Sequence, residues 1–373
     1  MPLHRRHLIT AALPLAAGCA GAPPNPAPNP APNPSPAGID PALQARLAEA
    51  GSDGSNTHAV LVQRGAVTLA ELYFSGSDRP AGSWWPRRMT FDAQTPHDQR
   101  SVTKSVLGLL AGIQHGLGRL GPLDTPVLQF FPEHRAAAGA TLQALQLQHL
   151  LDMTTGWQWD ELSLPYDHPA NPDRRMAAAA DLPAFAFGLP FDHAPGTRFT
   201  YCGVAPRLLA EVLQRASGQS LRTLADDTLF GPLGIANPPW GTTRDGSLRG
   251  DSGLLLTPRQ MARIGRLMLD GGRTPAGRQV VPADWIAGTF AQRVPASFGM
   301  GDGRYWWHGR FTAGPGAGIP YTTAMGNGGQ RIAVVPSLDA VVVITAGRYN
   351  QPDNGVPPAR LLRMVLAHLA AQG

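Results

Sequence analysis

The chain of 373 residues contains one lysine, Lys104, and it stands three residues after a serine in Arg100-Ser101-Val102-Thr103-Lys104-Ser105. Every other member of the 31 Lys+Arg residues is arginine. Arginine stays protonated in a protein, whereas a desolvated lysine can give up its proton. Lys104 is therefore a candidate for proton transfer, titrating well below an ordinary lysine, rather than for generic charge. Val102, Val106, Leu109, Leu110 and Ile113 recur at helical spacing, which predicts an amphipathic helix beginning near Ser101. Residues three apart share a helix face, so Lys104 can reach Ser101. The helix start adds N–H donors and a positive dipole end, both suited to an alkoxide or oxyanion. A serine hydroxyl needs a neighbouring base to attack an acyl carbon, and a neutral lysine can be that base. The chemistry predicted is acyl transfer through Ser101. The competing reading makes Ser101 a helix cap and Lys104 a solvated charge.

Two further segments carry suitable chemistry. Tyr201 follows a proline-glycine turn in Pro195-Gly-Thr-Arg-Phe-Thr-Tyr201, just before a helical pattern. Asn327-Gly328-Gly329-Gln330 leads into a strand pattern, and its two glycines allow close backbone approach to a ligand. Leu150-Leu-Asp-Met-Thr-Thr-Gly-Trp157, Leu229-Phe-Gly-Pro-Leu-Gly-Ile235 and Tyr305-Trp-Trp307 complete the set. With these segments the chain resembles the serine β-lactamase, DD-peptidase and esterase family, in particular its 6-aminohexanoate-dimer hydrolase-like branch, over about residues 55–350.

The resemblance implies a serine hydrolase with Ser101 as nucleophile, Lys104 as base and Tyr201 as the tyrosine of a Tyr-x-Asn motif that shuttles protons. Gly203 replaces that asparagine, so its contacts come from elsewhere or are absent. Asn327, Gly328, Gly329 and Gln330 fall on the third motif, with the Gln330 and Ser101 N–H groups as the implied oxyanion hole. Asn327 stands where β-lactamases and DD-peptidases often carry a cation for a substrate carboxylate. Its neutrality favours an ester or small amide over a β-lactam or peptidoglycan. Trp157, Trp159, Tyr305, Trp306 and Trp307 are candidate pocket walls, and Cys202 reads as a small buried hydrophobe. A non-catalytic binding protein on the same fold is the rival from another class.

These residues need elements to position them. His58–Gln63 and Ala66–Phe74 read as strands joined by Arg64-Gly65, and Gln330–Val335 and Ala340–Thr345 as strands split by a turn at residues 336–339. Helical patterns cover Pro41–Glu49, Ala140–Leu151, Ala205–Ser217, Thr257–Asp270, Ala283–Phe290 and Pro358–Ala370, with a capping box at Thr257 and Gln260. The expected fold is α+β: an antiparallel sheet made by both chain ends and flanked by helices, with an inserted mostly helical subdomain. The hydrolase domain is expected over 39–373, its sheet part at about 39–90 and 295–373 and its helical part at about 101–290.

Residues 1–18 have a basic start and a short apolar run, the pattern of a signal peptide, and Leu15-Ala-Ala-Gly-Cys19 resembles a lipobox with Cys19 acylated. The proline-rich stretch within 19–38 predicts an extended spacer reaching about 45 Å. The expectation is an exported, lipid-anchored periplasmic protein acting on a small-molecule substrate. The formal charge is +5, but the arginines are scattered without a basic helix, so nucleic-acid binding is not expected. A lone lysine outside any Gly-Lys pair excludes a Walker loop. Gly116-Leu-Gly-Arg-Leu-Gly121 follows a helix rather than a strand, and the eleven histidines show no ligand spacing, so no cofactor or metal is expected.

Overall fold

The computed structural model describes residues 38–79, 85–166, 168–291, 294–312 and 318–372. The expected leader, Cys19 and most of the spacer lie outside them. β-Branched runs at both chain ends build the framework. Thr57–Arg64 and Val67–Tyr73 form β1 and β2, joined through Gly65 at φ +57°, an angle that suits glycine. Two small ribbons follow: β3 (Ser75–Asp78) pairs with β4 (Arg87–Thr90), and β5 (His97–Asp98) with β6 (Leu255–Leu256). The last strands are β7 (Val294–Pro295), β8 (Gly301–Gly303), β9 (Trp306–Phe311), β10 (Ile319–Gly326), β11 (Gln330–Val335) and β12 (Ala340–Ala346). The main antiparallel sheet runs β2-β1-β12-β11-β10-β9-β8-β7, so the two chain ends meet where β1 pairs with β12.

Alternation across the pleat divides the apolar residues between two cores. From β11, Ile332 and Val334 join Val106 and Leu109 of the helical part, while Ala333 and Val335 face Leu43, Leu47, Leu361 and Val365. The latter four come from the terminal helices Pro41–Gly51 and Val356–Ala370. Each fully buried Leu or Val contributes roughly 1.5–3 kcal/mol, so both sheet faces hold the strand register. This is the expected α+β architecture. The capping box forms at Thr257 and Gln260, which open the helix Pro258–Leu269.

One expected element divides. The pattern over 140–151 predicts one helix, but the chain forms Ala140–Gln143 and Leu147–Leu151, with Gln146 extended at φ −113° and ψ 163°. Leu145 is fully buried and its carbonyl accepts the Val127 N–H at 2.8 Å, so tertiary pairing overrides local helix preference.

The helix Val102–Gly116 runs through the larger core with nearly every residue buried. Two small residues let the β8–β9 turn press onto it. Ser105 Oγ donates to the Tyr305 carbonyl at 2.6 Å, and a Cβ on Gly108 would stand 2.6 Å from the Arg304 carbonyl oxygen. Arg304 and Tyr305 both hold left-handed angles, φ +56° and +68°, which only tertiary packing sustains for such residues. Gly108→Ala therefore sets two effects against each other. Alanine gains about 1 kcal/mol of helix propensity, but overpacking against backbone costs roughly 1–3 kcal/mol. A carbonyl cannot swing away as a side chain would, so the variant is expected to melt below wild type. A Gly108→Ala protein of unchanged or higher Tm would show that the turn is not pressed on the helix.

Candidate active site

The approach to Ser101 is held in a sparsely populated conformation. Arg100, the residue before it, lies at φ +48°, which for a bulky residue costs of order 1–3 kcal/mol. Three contacts hold it there. Its N–H donates to Asp98 Oδ1 at 2.9 Å, its Nε lies 3.3 Å from Asp98 Oδ2, and its guanidinium stacks on Tyr349 at 4.5 Å. Asp98 belongs to β5, whose pairing with β6 fixes it in turn. The N–H groups of Val102, Thr103 and Lys104 then bond to the carbonyls of Gln99, Arg100 and Ser101, each at 3.0 Å. That tight first turn leaves Ser101 at the helix mouth.

Lys104 is 4% exposed, and its Nζ bridges Ser101 Oγ and the Asp251 carbonyl, 2.9 Å from each. Asp251 is anchored by its own side chain, which pairs with Arg207 at 2.8 Å and Arg249 at 3.1 Å. Burial alone would raise the Asp251 pKa, but Arg249, Arg207 and Lys104 outweigh it and hold the carboxylate far below its usual range. Lys104 behaves differently from the expectation. Burial pulls its pKa down, yet Tyr201, Glu161 and Asp251 outweigh burial, and the ammonium titrates above an ordinary lysine. The depressed lysine expected from desolvation alone is thus corrected: the sequence showed the burial but not the anions around it.

Tyr201 is carried to the same point by backbone pairing, with Thr200 N–H donating to the Met153 carbonyl at 2.8 Å and Gly196 N–H to Thr154 at 2.7 Å. The Tyr201 ring centroid lies 5.2 Å from Lys104 Nζ and 5.9 Å from the Trp307 ring. Burial pushes its phenol pKa up, opposed by the Lys104 charge and by hydrogen bonds to Ser101 and Lys104. Cys202 beside it is fully buried, and burial pushes its thiol up, away from nucleophilic character.

The β10–β11 hairpin closes the other wall. Gly326 pairs with Gln330 across it, and a Cβ on Gly326 would lie 2.4 Å from the Gln99 carbonyl oxygen, so the hairpin abuts the segment leading into Ser101. Gly328 and Gly329 take φ +94° and +108°, and a Cβ on Gly328 would collide with the Tyr349 ring. The Gln330 side chain ties to the Ala346 carbonyl. Asn327 is a clasp: its Nδ2 donates to Asn350 Oδ1 at 2.7 Å, while its Oδ1 accepts from Asn350 N–H and Asn354 Nδ2. A cleft of about 640 Å³ results, lined by Ser101, Tyr201, Trp307, Asn327, Gly329 and Gln330 among others.

Of the aromatic residues expected as walls, Trp307 alone lines this cleft, joined by Phe298, whose ring centroid is 5.8 Å from it. Trp306 and Tyr305 are core, and Trp157 and Trp159 line a neighbouring depression shared with Asp160, Arg198 and Tyr201. Strand alternation explains the separation of Trp306 from Trp307, which point to opposite faces of β9. Gly328 is likewise absent from the cleft lining.

Two charged cleft residues escaped the sequence reading. Glu161 is 1% exposed, and Arg331 is 8% exposed with its guanidinium donating to Met325 Sδ and the Gly355 carbonyl. Neither belongs to a spaced motif, so no local signal marked them. The structure also assembles histidines that spacing did not pair. His58, Asp78 and His97 offer donor atoms within 4.8 Å of one another. His58 stacks on Phe91 at 3.9 Å, and burial holds His97 down at about 3, so it is a neutral imidazole at ordinary pH.

Comparison with known proteins agrees with this geometry. Residues 40–365 match the Beta-lactamase family. The chain is 29% identical over 353 residues to a 6-aminohexanoate-dimer hydrolase of Paenarthrobacter ureafaciens, covering 89% of this chain and 81% of the relative. A penicillin-binding protein homologue from Caulobacter crescentus shares the fold, with a TM-score of 0.66 at 17% identity, covering 88% of this chain and 98% of that one. A class C beta-lactamase from Rhodobacter sphaeroides superposes with a TM-score of 0.63 at 19% identity, covering 88% and 99%. The chain belongs to the beta-lactamase family and is a serine hydrolase.

Proposed function

We propose that Ser101 is the nucleophile, that Lys104 and Tyr201 together handle its proton, and that the substrate is an ester or small amide. The carrying observation is the buried Lys104 Nζ at 2.9 Å from Ser101 Oγ, with the Tyr201 ring centroid 5.2 Å from the same Nζ. In the first step Oγ bonds to the acyl carbon, and its proton passes to the Lys104–Tyr201 pair. The oxyanion is met by the Ser101 and Gln330 N–H groups. Collapse breaks the bond to the leaving group, which departs with the proton. Water then attacks the acyl-serine, and the same pair takes and returns a proton as Oγ is released. A charged Lys104 must discharge before it can accept, so kcat/KM rises with pH through an acid limb.

A β-lactam or other carboxylate-bearing substrate is the second reading, and Arg331 is the observation that favours it. This buried cation lines the cleft and has no carboxylate partner among the described residues. Against it, Asn327 is neutral and committed to its clasp, and the cleft holds a buried acid in Glu161. The balance favours the uncharged ester or amide. We also propose export and anchoring through acylated Cys19, supported by the basic start, the short apolar run and Leu15-Ala-Ala-Gly-Cys19 in that order.

Three measurements check these readings. Lys104→Arg keeps the charge and the helix propensity but cannot serve as a base, so activity should fall on the order of 10³-fold while Tm stays near wild type. A folded variant keeping more than about a tenth of the activity would remove Lys104 from the mechanism. Assayed side by side, p-nitrophenyl esters and short linear amides should be turned over faster than a chromogenic cephalosporin. Efficient cephalosporin cleavage that disappears in Arg331→Gln would establish the carboxylate reading instead. Finally, a palmitate analogue fed to cells should label the wild-type chain and not Cys19→Ser; equal labelling of both would sink the anchor.

A further inference from the structure

Glu161 occupies the space that a side chain at position 203 would need. A Cβ on Gly203 would stand 3.1 Å from Glu161 Oε2, 3.2 Å from Met176 Cε and 3.4 Å from Asp173 Oδ1. Glu161 Oε2 accepts the Gly203 N–H at 2.6 Å and the Trp159 Nε1–H at 2.7 Å, and Oε1 accepts the Tyr166 hydroxyl at 2.9 Å. The Asn171 side chain fixes the Glu161 carbonyl at 3.1 Å. A buried carboxylate held by three donors is built into its site, and it lines the cleft with Ser101 and Tyr201.

The charges around it identify its partner. The Asp251 carboxylate is matched by two arginines, Arg207 and Arg249, so that anion is spent locally. Glu161 has no such ion pair among the described residues: burial pushes its carboxyl pKa up and Asp173 adds to the rise, while Lys104 is the cation that pulls against them, helped by the Trp159 and Gly203 hydrogen bonds. The other titratable groups facing it are Asp173 from the helix Pro172–Ala178, Tyr201 and Cys202 from the turn before the helix Val204–Ser217, and Tyr166 from its own loop. None of these supplies a second cation, so Lys104 is the positive charge that Glu161 faces, and Glu161 is one of the anions acting on Lys104 with Tyr201 and Asp251.

We propose that Glu161 is a positioning residue for the Ser101 chemistry: it braces the Tyr201-Cys202-Gly203 turn through the Gly203 N–H, and its charge fixes the pH at which Lys104 gives up its proton. The sign follows from Coulomb attraction. An anion nearby favours the ammonium, so Glu161 moves the acid limb of the reaction upward, and its neutral replacement moves the limb down. The inference rests on the reading of Ser101, Lys104 and Tyr201 as one proton-transfer unit.

The test uses the full chain and the pH dependence of Ser101 labelling by a fluorophosphonate probe, which needs no knowledge of the substrate. Three variants separate charge from hydrogen bonding. Glu161→Gln loses the charge and can still bond Gly203, Trp159 and Tyr166; Glu161→Ala loses both; Glu161→Asp keeps the charge. The acid limb should fall by about one pH unit or more in Glu161→Gln and Glu161→Ala and stay near wild type in Glu161→Asp. Thermal melting should drop most in Glu161→Ala. A limb that follows melting temperature rather than charge, or that does not move in the two neutral variants, overturns the proposal. Wild-type protein that is never labelled at Ser101 would instead overturn the underlying assignment of the nucleophile, so the two failures are distinct.

Discussion

Everything in this site depends on keeping one ammonium group out of water beside the hydroxyl of Ser101. Burying an unpaired charge costs several kcal/mol, and Lys104 is 4% exposed. The Asp251 carbonyl supplies one fixed acceptor, and Ser101 Oγ lies at a second contact. The Asp251 carboxylate favours the ammonium from further off, and with Tyr201 and Glu161 it outweighs burial. Arg207 and Arg249 draw that carboxylate away, and the lysine is left with a dipole rather than a full counter-charge at contact distance. A neutral acceptor at 2.9 Å orients Nζ while leaving its protonation to more distant charges.

The remaining architecture serves that placement. The helix Val102–Gly116 is seated by Ser105 and Gly108 against the β8–β9 turn, so the spacing from Ser101 to Lys104 is carried on a rigid element. The left-handed Arg100 is a local cost met by Asp98 and Tyr349. Tyr349 also packs where a side chain at Gly328 would sit. One aromatic ring therefore couples the segment entering Ser101 with the glycine-rich wall. Asn327 extends the coupling by clasping Asn350 and Asn354.

The two departures from the family pattern have different physical consequences. At Asn327 a neutral side chain is absorbed by loop contacts, which removes it from the cleft as a binding charge. At Gly203 the missing side chain is replaced by a carboxylate from 42 residues earlier in the chain, delivered to the Gly203 N–H. The first change leaves a neutral side chain in loop contacts, whereas the second brings a buried carboxyl group to the Gly203 backbone.

What could be read from the sequence was local. The Ser101–Lys104 pair follows from helix spacing, the β1–β2 and β11–β12 hairpins from strand patterns and turn residues, and the Thr257–Gln260 capping box from a three-residue interval. Short-range geometry fixes these because backbone periodicity alone decides which side chains meet. The split at Leu145 failed for the complementary reason, since pairing with Val127 is set by tertiary packing. The Lys104–Asp251 contact joins residues 147 apart and the Ser105–Tyr305 contact residues 200 apart. Glu161, Arg331 and the neighbouring depression holding Trp157 and Trp159 likewise emerge only when distant segments meet. The sequence alone thus determined which residues could react, and the tertiary structure decided the charge each one carries, because electrostatic energy depends on distance in space and on the exclusion of water, neither of which is written in residue order.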